Sequence, residues 1–425
     1  MKVLFFNDAS TRYNTKAEIL YNSSGLFDTL HDALLENDLS IDLGIVFFHS
    51  EKSVKEKRGK VTYYPVYQKK KSLLQKLLYY WNGYKKESSE KLLSDMFHII
   101  NDFKPNVIQI FGIESPFACI LGRMDVPMIM HAQGFLNPTY NAFYPPGMNR
   151  FTFFWNSFSI NEWIFRNGYN FAAEHMSLRR KKEQKYFSNL QFALGRTEWD
   201  RQIVQLLAPQ SQYFSVGEML RSEFTQSRPW TMIELDNFVL TSTISETIYK
   251  GLDVVLKTAK LLRELTGINF EWRVIGVQAN SRFVKIFEKK FQIKSNEVNV
   301  RYEGVLKAGQ VCNLLLKTHV YVHPSYIDNS PNSLCEAQLL GLPVIATYVG
   351  GIPSLVTHQE NGLLVPANAP YELNYWLKYL YQHPETMVQL GNAARKTALI
   401  RHSKEKTVSD LLNVYHQIVN NAIKP

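Results

Sequence analysis

Short apolar runs alternate with longer stretches of helical period along most of the chain. KVLFF (2–6) is followed by a helix candidate near Gly25 to Asn37, and then by IDLGIVFF (41–48). VIQIFG (107–112), VPMIMH (126–131) and FALG (192–195) continue the series, each bounded by turn-formers or polar helices. Such alternation predicts βα units and a mainly parallel sheet. From about Tyr140 to Arg180 aromatics dominate and no clean period emerges. A second series then begins: FVLTST (238–243), FEWRVIGV (270–277), VNVRYEG (298–304), VYVHPS (320–325) and PVIAT (343–347). Helix candidates at 250–265, 281–291, 309–317 and 331–340 lie between these strands.

The polar stretch RSEFTQSRPW (221–230) separates the two series. A chain of 425 residues exceeds one ordinary core. The expected division is a domain over 1–220, a linker over 221–235 and a domain over 236–403. A C-terminal helix at 404–425 is expected to pack back on the first domain. Two α/β domains joined this way place a cleft between the C-terminal edges of two sheets, where ligands of open α/β sheets bind.

Charge changes the picture in one half only. The net charge is +10, and residues 52–91 hold 12 Lys/Arg against three Glu. A second basic block, 166–185, contains RRKK at 179–182. Both adjoin aromatics: YYPVY, LLYYW and FTFFWNSFSINEWIF from Phe151. Cations beside amphipathic rings suit an anionic membrane surface, and 52–91 with 151–187 is the expected contact; a solvated basic loop over an aromatic core is the plain alternative. No nucleic-acid-binding module accompanies the charge. No run approaches the roughly 20 apolar residues of a spanning helix. Three distant cysteines, Cys119, Cys312 and Cys335, suggest reduced thiols rather than a disulfide framework. The expected location is cytoplasmic, with peripheral attachment at the inner face of a membrane.

Candidate chemistry concentrates in HPSYIDNSPNSLCEAQLLGLPVIAT (323–347). Ser330 then Pro331 has the pattern of an N-cap and a first-turn proline, and Gly341 closes the helix. Asp328 lies on the loop before that helix, and Glu336 about a turn and a half inside it. Between them the amides of Asn332, Ser333 and Leu334 are the donors of a helix start, whose partial positive charge suits phosphate. The same spacing equally describes a capped helix with a surface Glu. In IYKGLDVVLKTAKLL (248–262), Lys250 and Gly251 sit where a strand enters its helix, so the lysine can reach a phosphate and the glycine permits close approach. YVGGIPSLV places Gly350 and Gly351 in another loop at the same edge.

Taken in order, YKGLD, RYEG, HPSYIDNSPNSLCEAQLLGLPVIAT, GGIPSLV and NGLLVP resemble the C-terminal half of retaining glycosyltransferases of family 4, bacterial surface-polysaccharide branch. The resemblance covers 236 to about 400. It implies an α/β, GT-B fold with two Rossmann-like domains facing across a cleft. The family's acidic-x7-acidic signature is matched by Asp328 and Glu336. The resemblance implies that Glu336 contacts the nucleotide ribose, that Asp328, Asn329 and Ser330 with the loop amides hold the transferred sugar, and that Lys250 binds the diphosphate. Two departures stand out: Asp328 is shorter than the usual Glu, and Ser245 occupies the place of a common phosphate-binding Arg. In MHAQGFLNP (130–138), His131 resembles the family's active-site histidine, and a lone strand-end histidine is equally a structural residue. Arg196, Glu218 and Gly304 are further weak candidates.

The function implied is transfer of a sugar, with retention, from a nucleoside-diphosphate sugar to a glycan or lipid-linked glycan acceptor in cell-surface polysaccharide synthesis. No D-x-D sequence occurs, so no metal and no other cofactor is expected. His319 and His323 share a strand without a third ligand, which favours buried or capping roles over zinc. The rival readings are a sugar-nucleotide epimerase of the same fold and a non-catalytic partner subunit that binds nucleotide sugar or membrane.

Overall fold

The computed structural model describes residues 1–8, 13, 25–37, 41–68, 89–166, 168–234 and 236–423. They fall into two compact units: Met1–Tyr140, Ile160–Met219 and His402–Pro425 form one, Asn141–Ser159 and Leu220–Arg401 the other.

The first unit is built on β1 (Lys2–Phe6), β2 (Asp42–His49), β3 (Glu56–Arg58), β4 (Val61–Tyr67), β5 (Val107–Phe111), β6 (Met128–His131), β7 (Phe192–Gly195) and β8 (Gln212–Ser215). Their order in the sheet is β3-β4-β2-β1-β5-β6-β7-β8, and only the β3–β4 pair is antiparallel. The central strands are apolar nearly throughout because helices cover both faces. On one face Met96, Ile100 and Phe103 of helix Ser89–Phe103 meet Leu4, Ile108 and Ile110. On the other, Val408, Leu411, Tyr415 and Ile418 of helix Lys404–Ile423 meet Val3, Phe5 and Phe111.

The second unit contains β9 (Phe238–Thr243), β10 (Phe270–Ile275), β11 (Val300–Gly304), β12 (Val320–His323), β13 (Val344–Thr347) and β14 (Leu363–Val365). They run parallel in the order β11-β10-β9-β12-β13-β14. The order reverses between β9 and β12, so the loops leaving these two neighbours diverge to open a crevice at their C-terminal ends.

Two expectations change. YYPVY is not a surface aromatic stretch: it lies in β4, where Tyr63 and Tyr64 are buried. The remainder of the first basic block, 69–88, lies outside the described residues. Residues 141–159 group with the second unit rather than the first, because helix Arg150–Ser157 packs on helix Arg282–Phe291 and the Phe143 ring lies 6.1 Å from that of Tyr249. Nearby aromatics do stay exposed: Phe151, Trp155, Phe158 and Trp163 each leave more than half of their surface in solvent. Among the described residues no helix is long and apolar enough to cross a membrane.

Candidate active site

The C-terminal ends of β9 and β12 carry the densest chemistry of the second unit. After β9 the chain turns through Ile248–Lys250 and enters helix Leu252–Thr266. Gly251 makes that entry at φ +82°, and a Cβ there would lie 2.1 Å from the carbonyl oxygen of Pro324. Only glycine allows the two loops to approach so closely. The Tyr326 amide donates to the Tyr249 carbonyl at 2.9 Å and fixes the same approach. Lys250 is thereby delivered to Asp328: its Nζ donates to Oδ2 at 2.6 Å. That carboxylate also meets His323 Nε2 at 2.9 Å and accepts from Ser325 Oγ at 3.3 Å. Burial pushes the Asp328 carboxyl up, but Lys250 and His323 outweigh it and hold the group well below the ordinary carboxylate range. Burial acts to lower the Lys250 ammonium, and Asp328 raises it past its usual value.

Gly350 closes the loop from a third side. Its φ is +51°, and a Cβ would stand 1.9 Å from the Asp328 carbonyl oxygen, which the Gly351 amide also approaches at 3.0 Å. Lys250, Gly251, Asp328, Gly350 and Gly351 are thus brought together. Asn329 and Ser330 follow in the same buried loop, with the Asn329 amide donating to Asp328 Oδ1 at 3.2 Å. Ser245, in the place of the common arginine, only donates its hydroxyl to Thr247 Oγ1 at 3.0 Å. Gly304 ends the edge strand β11 beside the Gln278 side chain, with no tie to this cluster among the hydrogen bonds described.

The helix start differs from the expected cap. Helix Asn332–Leu340 takes Pro331 at its N-cap, and the Ser330 hydroxyl lies 3.8 Å from Cys335 Sγ. Proline in the flanking position moves the helix one residue along. The Leu334 amide is already bound to the Pro331 carbonyl at 3.0 Å. Asn332 and Ser333 therefore carry the first helical amides that have no preceding intrahelical carbonyl.

Glu336 is almost fully buried and is not a surface carboxylate. Arg221 Nε and Nη2 donate to its two oxygens, each at 2.7 Å. The fork geometry is the strong form of this contact. Arg221 precedes the short helix Ser222–Thr225, which packs on helix Asn332–Leu340, and its guanidinium sits 4.9 Å from the Phe224 ring. Sequence reading gave Arg221 no role, because a pairing across 115 residues leaves no local spacing. His323, set aside there as a capping or buried histidine, proves to be a partner of Asp328. His319 is engaged elsewhere: the Val239 amide donates to its Nδ1 at 2.9 Å, and Nε2 lies 3.1 Å from the Ile233 carbonyl.

In the first unit His131 ends β6 and is buried. Burial, with the nearby Arg196 charge, pushes its pKa down to about 3, so the ring is neutral at ordinary pH. Gln109 Nε2 lies 3.1 Å from its Nδ1, and Nε2 of the ring has no partner among the described residues. Arg196 forms a buried ion pair with Glu218, and its Nη2 donates to the Gln133 carbonyl at 3.2 Å. The backbone under Arg196 is fixed by Asp200, whose carboxylate accepts from the amides of Arg196 (2.7 Å) and Thr197 (3.1 Å).

Residues 233–397 match the family of glycosyl transferases group 1. Among curated proteins, a putative colanic acid biosynthesis glycosyltransferase, WcaL of Escherichia coli, is 30% identical over 125 residues, 28% of this chain and 30% of that protein. A D-inositol 3-phosphate glycosyltransferase of an Arthrobacter species is 29% identical over 177 residues, 41% of each. The chain thus spans well under half the length of either curated relative. Solved structures cover it almost end to end. Sucrose-phosphate synthase from Thermosynechococcus elongatus superposes with a TM-score of 0.72 at 13% identity, over 99% of both chains. HepE of Anabaena in complex with UDP gives 0.63 at 13%, over 98% of this chain and 100% of that one.

Proposed function

We propose that the protein is a retaining glycosyltransferase: residues 233–397 match the glycosyl transferases group 1, and the solved structures share its GT-B fold. It moves a sugar from a nucleoside-diphosphate donor to a glycan or lipid-linked glycan acceptor in the synthesis of a cell-surface polysaccharide. The observation that carries the reading is the convergence of Lys250, Asp328, His323 and the Gly350 loop at the divergence of β9 and β12.

The barrier to glycosyl transfer lies in breaking the anomeric C–O bond while negative charge grows on the diphosphate. Lys250 and the amides of Asn332 and Ser333 meet that charge with donors already in place. When a diphosphate arrives, Lys250 can turn to it, because His323 and Ser325 still hold Asp328. Asp328, Asn329 and Ser330 then orient hydroxyls of the sugar, and Glu336, positioned by Arg221, accepts from the ribose. His131 keeps the sugar contact that the family resemblance gives it. The chemistry as drawn needs no metal, and activity is expected to persist in EDTA. The UDP in the HepE structure makes UDP-sugars the first donors to screen.

Two experiments test the reading. Purified protein incubated with UDP-sugars and a lipid-linked glycan is expected to release UDP and extend the acceptor. Lys250→Ala and Glu336→Ala should each reduce this by about 100-fold or more. Transfer that survived both changes would place the donor elsewhere, and an isomerised donor without acceptor would make the protein an epimerase. For the acceptor, the exposed rings of Phe151, Trp155, Phe158 and Trp163, with the basic run Arg179–Lys182 later in the sequence, support attachment at an anionic membrane face. Flotation with anionic liposomes is expected to need these rings, and equal flotation of Trp155→Ser/Trp163→Ser would reject that surface.

A further inference from the structure

Strand β5 is buried at every position, yet its central residue is Gln109, fully enclosed. A buried amide must have its polar atoms met, and both atoms of this one are. Tyr415, on helix Lys404–Ile423 and also fully buried, donates its hydroxyl to Gln109 Oε1. Gln109 Nε2 faces His131 Nδ1 at 3.1 Å. The three side chains lie on one face of the first sheet, with Phe111 packed 5.4 Å from the His131 ring.

The direction of each hydrogen bond follows from what the alternatives leave behind. Were the amide turned over, Nε2 would point at the phenol and Oε1 at the imidazole. The Tyr415 proton would then have no acceptor, since its hydroxyl has no other partner described and no access to water. A buried donor without an acceptor is strongly disfavoured, so the phenol donates and the amide oxygen accepts. The amide N–H is then the donor to His131 Nδ1, which must be the unprotonated nitrogen. The ring is neutral, so its single proton resides on Nε2. That atom is buried and has no protein partner among the described residues, which leaves it for a ligand.

We propose that Tyr415 and Gln109 are positioning residues that hold His131 as its Nε2–H tautomer, so that it offers a hydrogen-bond donor to an oxygen of the donor sugar. The sugar contact rests on the glycosyltransferase reading above; the tautomer does not. Tyr415, 306 positions from Gln109 in the chain, thus selects which face of the histidine chemistry is available.

The test is 15N NMR of histidine-labelled protein, with the His131 signals assigned by their loss in His131→Ala. Wild type is expected to show a protonated, pyrrole-type Nε2 and a pyridine-type Nδ1. Tyr415→Phe removes only the hydroxyl, frees the amide to turn and is expected to bring a clear fraction of Nδ1–H. In the same variant kcat/KM for sugar transfer should fall on the order of tenfold or more, as when other histidines lose the partner that fixes their tautomer. Affinity for the nucleoside diphosphate alone should not change. A pyridine-type Nε2 in wild type overturns the proposal, and that spectrum decides even if Tyr415→Phe failed to fold. So does a folded Tyr415→Phe with the wild-type pattern and full activity. An Nε2–H tautomer as expected, with transfer unaffected by His131→Ala, removes the sugar contact and overturns that half of the proposal alone.

Discussion

The two units hold charge in opposite ways. In the first, Arg196 and Glu218 are paired with 5% and 1% of their side chains exposed. In the second, Lys250 and Asp328 keep 23% and 14% exposed, and the carboxylate has His323 and Ser325 as additional partners. A fully enclosed pair cannot exchange partners without leaving a bare charge in the core. A partly exposed, over-supported one can release its cation to a ligand. The difference separates what holds a fold from what is poised to act, although both appear as short ion pairs.

The comparison is most directly broken by mutation. Arg196→Ala is expected to destabilise the protein by about 3–5 kcal/mol, because Glu218 is left charged and enclosed. Urea denaturation measures it, and a loss below about 1 kcal/mol would mean that water reaches Glu218. An effect of comparable size concerns pH. His131 has its folded pKa pushed down to about 3 from an ordinary value near 6.5. Its contribution is complete above about pH 6.5 and is lost as pH falls through that window toward 3, because the unfolded chain takes up the proton first. The loss should reach roughly 4–5 kcal/mol. Glu114 works the other way: burial pushes its carboxyl up to about 7, so its contribution fades as pH rises. The histidine term is therefore read as the difference between wild type and His131→Gln. Asp328, held below the ordinary range, adds its own loss only below about pH 4. The smallest expected effect is the stability change of Lys250→Ala, about 1 kcal/mol or less, in a variant that has lost transfer. A large loss there would make Lys250 a structural counterion like Arg196.

How much of this was legible in the sequence differs between the same two units. In the second, β9, β10, β12 and β13 fall within a residue or two of their expected places. β14 has three residues and too little pattern to read. In the first, β4 was not among the expected strands, because a proline interrupts it and a lysine-rich block adjoins it. Its tyrosines are nevertheless enclosed by neighbouring strands, which no local window reports. The same limit applies at the site. Lys250, Asp328 and Gly350 stand out because loop chemistry is local. Arg221 on Glu336, Gln109 on His131 and Tyr415 on Gln109 are contacts between distant segments, and only the fold reveals them.

The return of helix Lys404–Ile423 to the first sheet also sets an order of events during synthesis. Until those residues leave the ribosome, one face of β1 and β5 lacks Val408, Leu411, Tyr415 and Ile418, and is only partly covered. The intervening unit, contiguous from Leu220 to Arg401, emerges earlier, although its helix Arg150–Ser157 is already waiting upstream. At a translation rate of roughly 5–20 residues per second, the first half of the chain waits on the order of ten seconds or more for its last helix. An incomplete chain would therefore expose part of an apolar sheet face, and it would also lack the hydroxyl that orients Gln109.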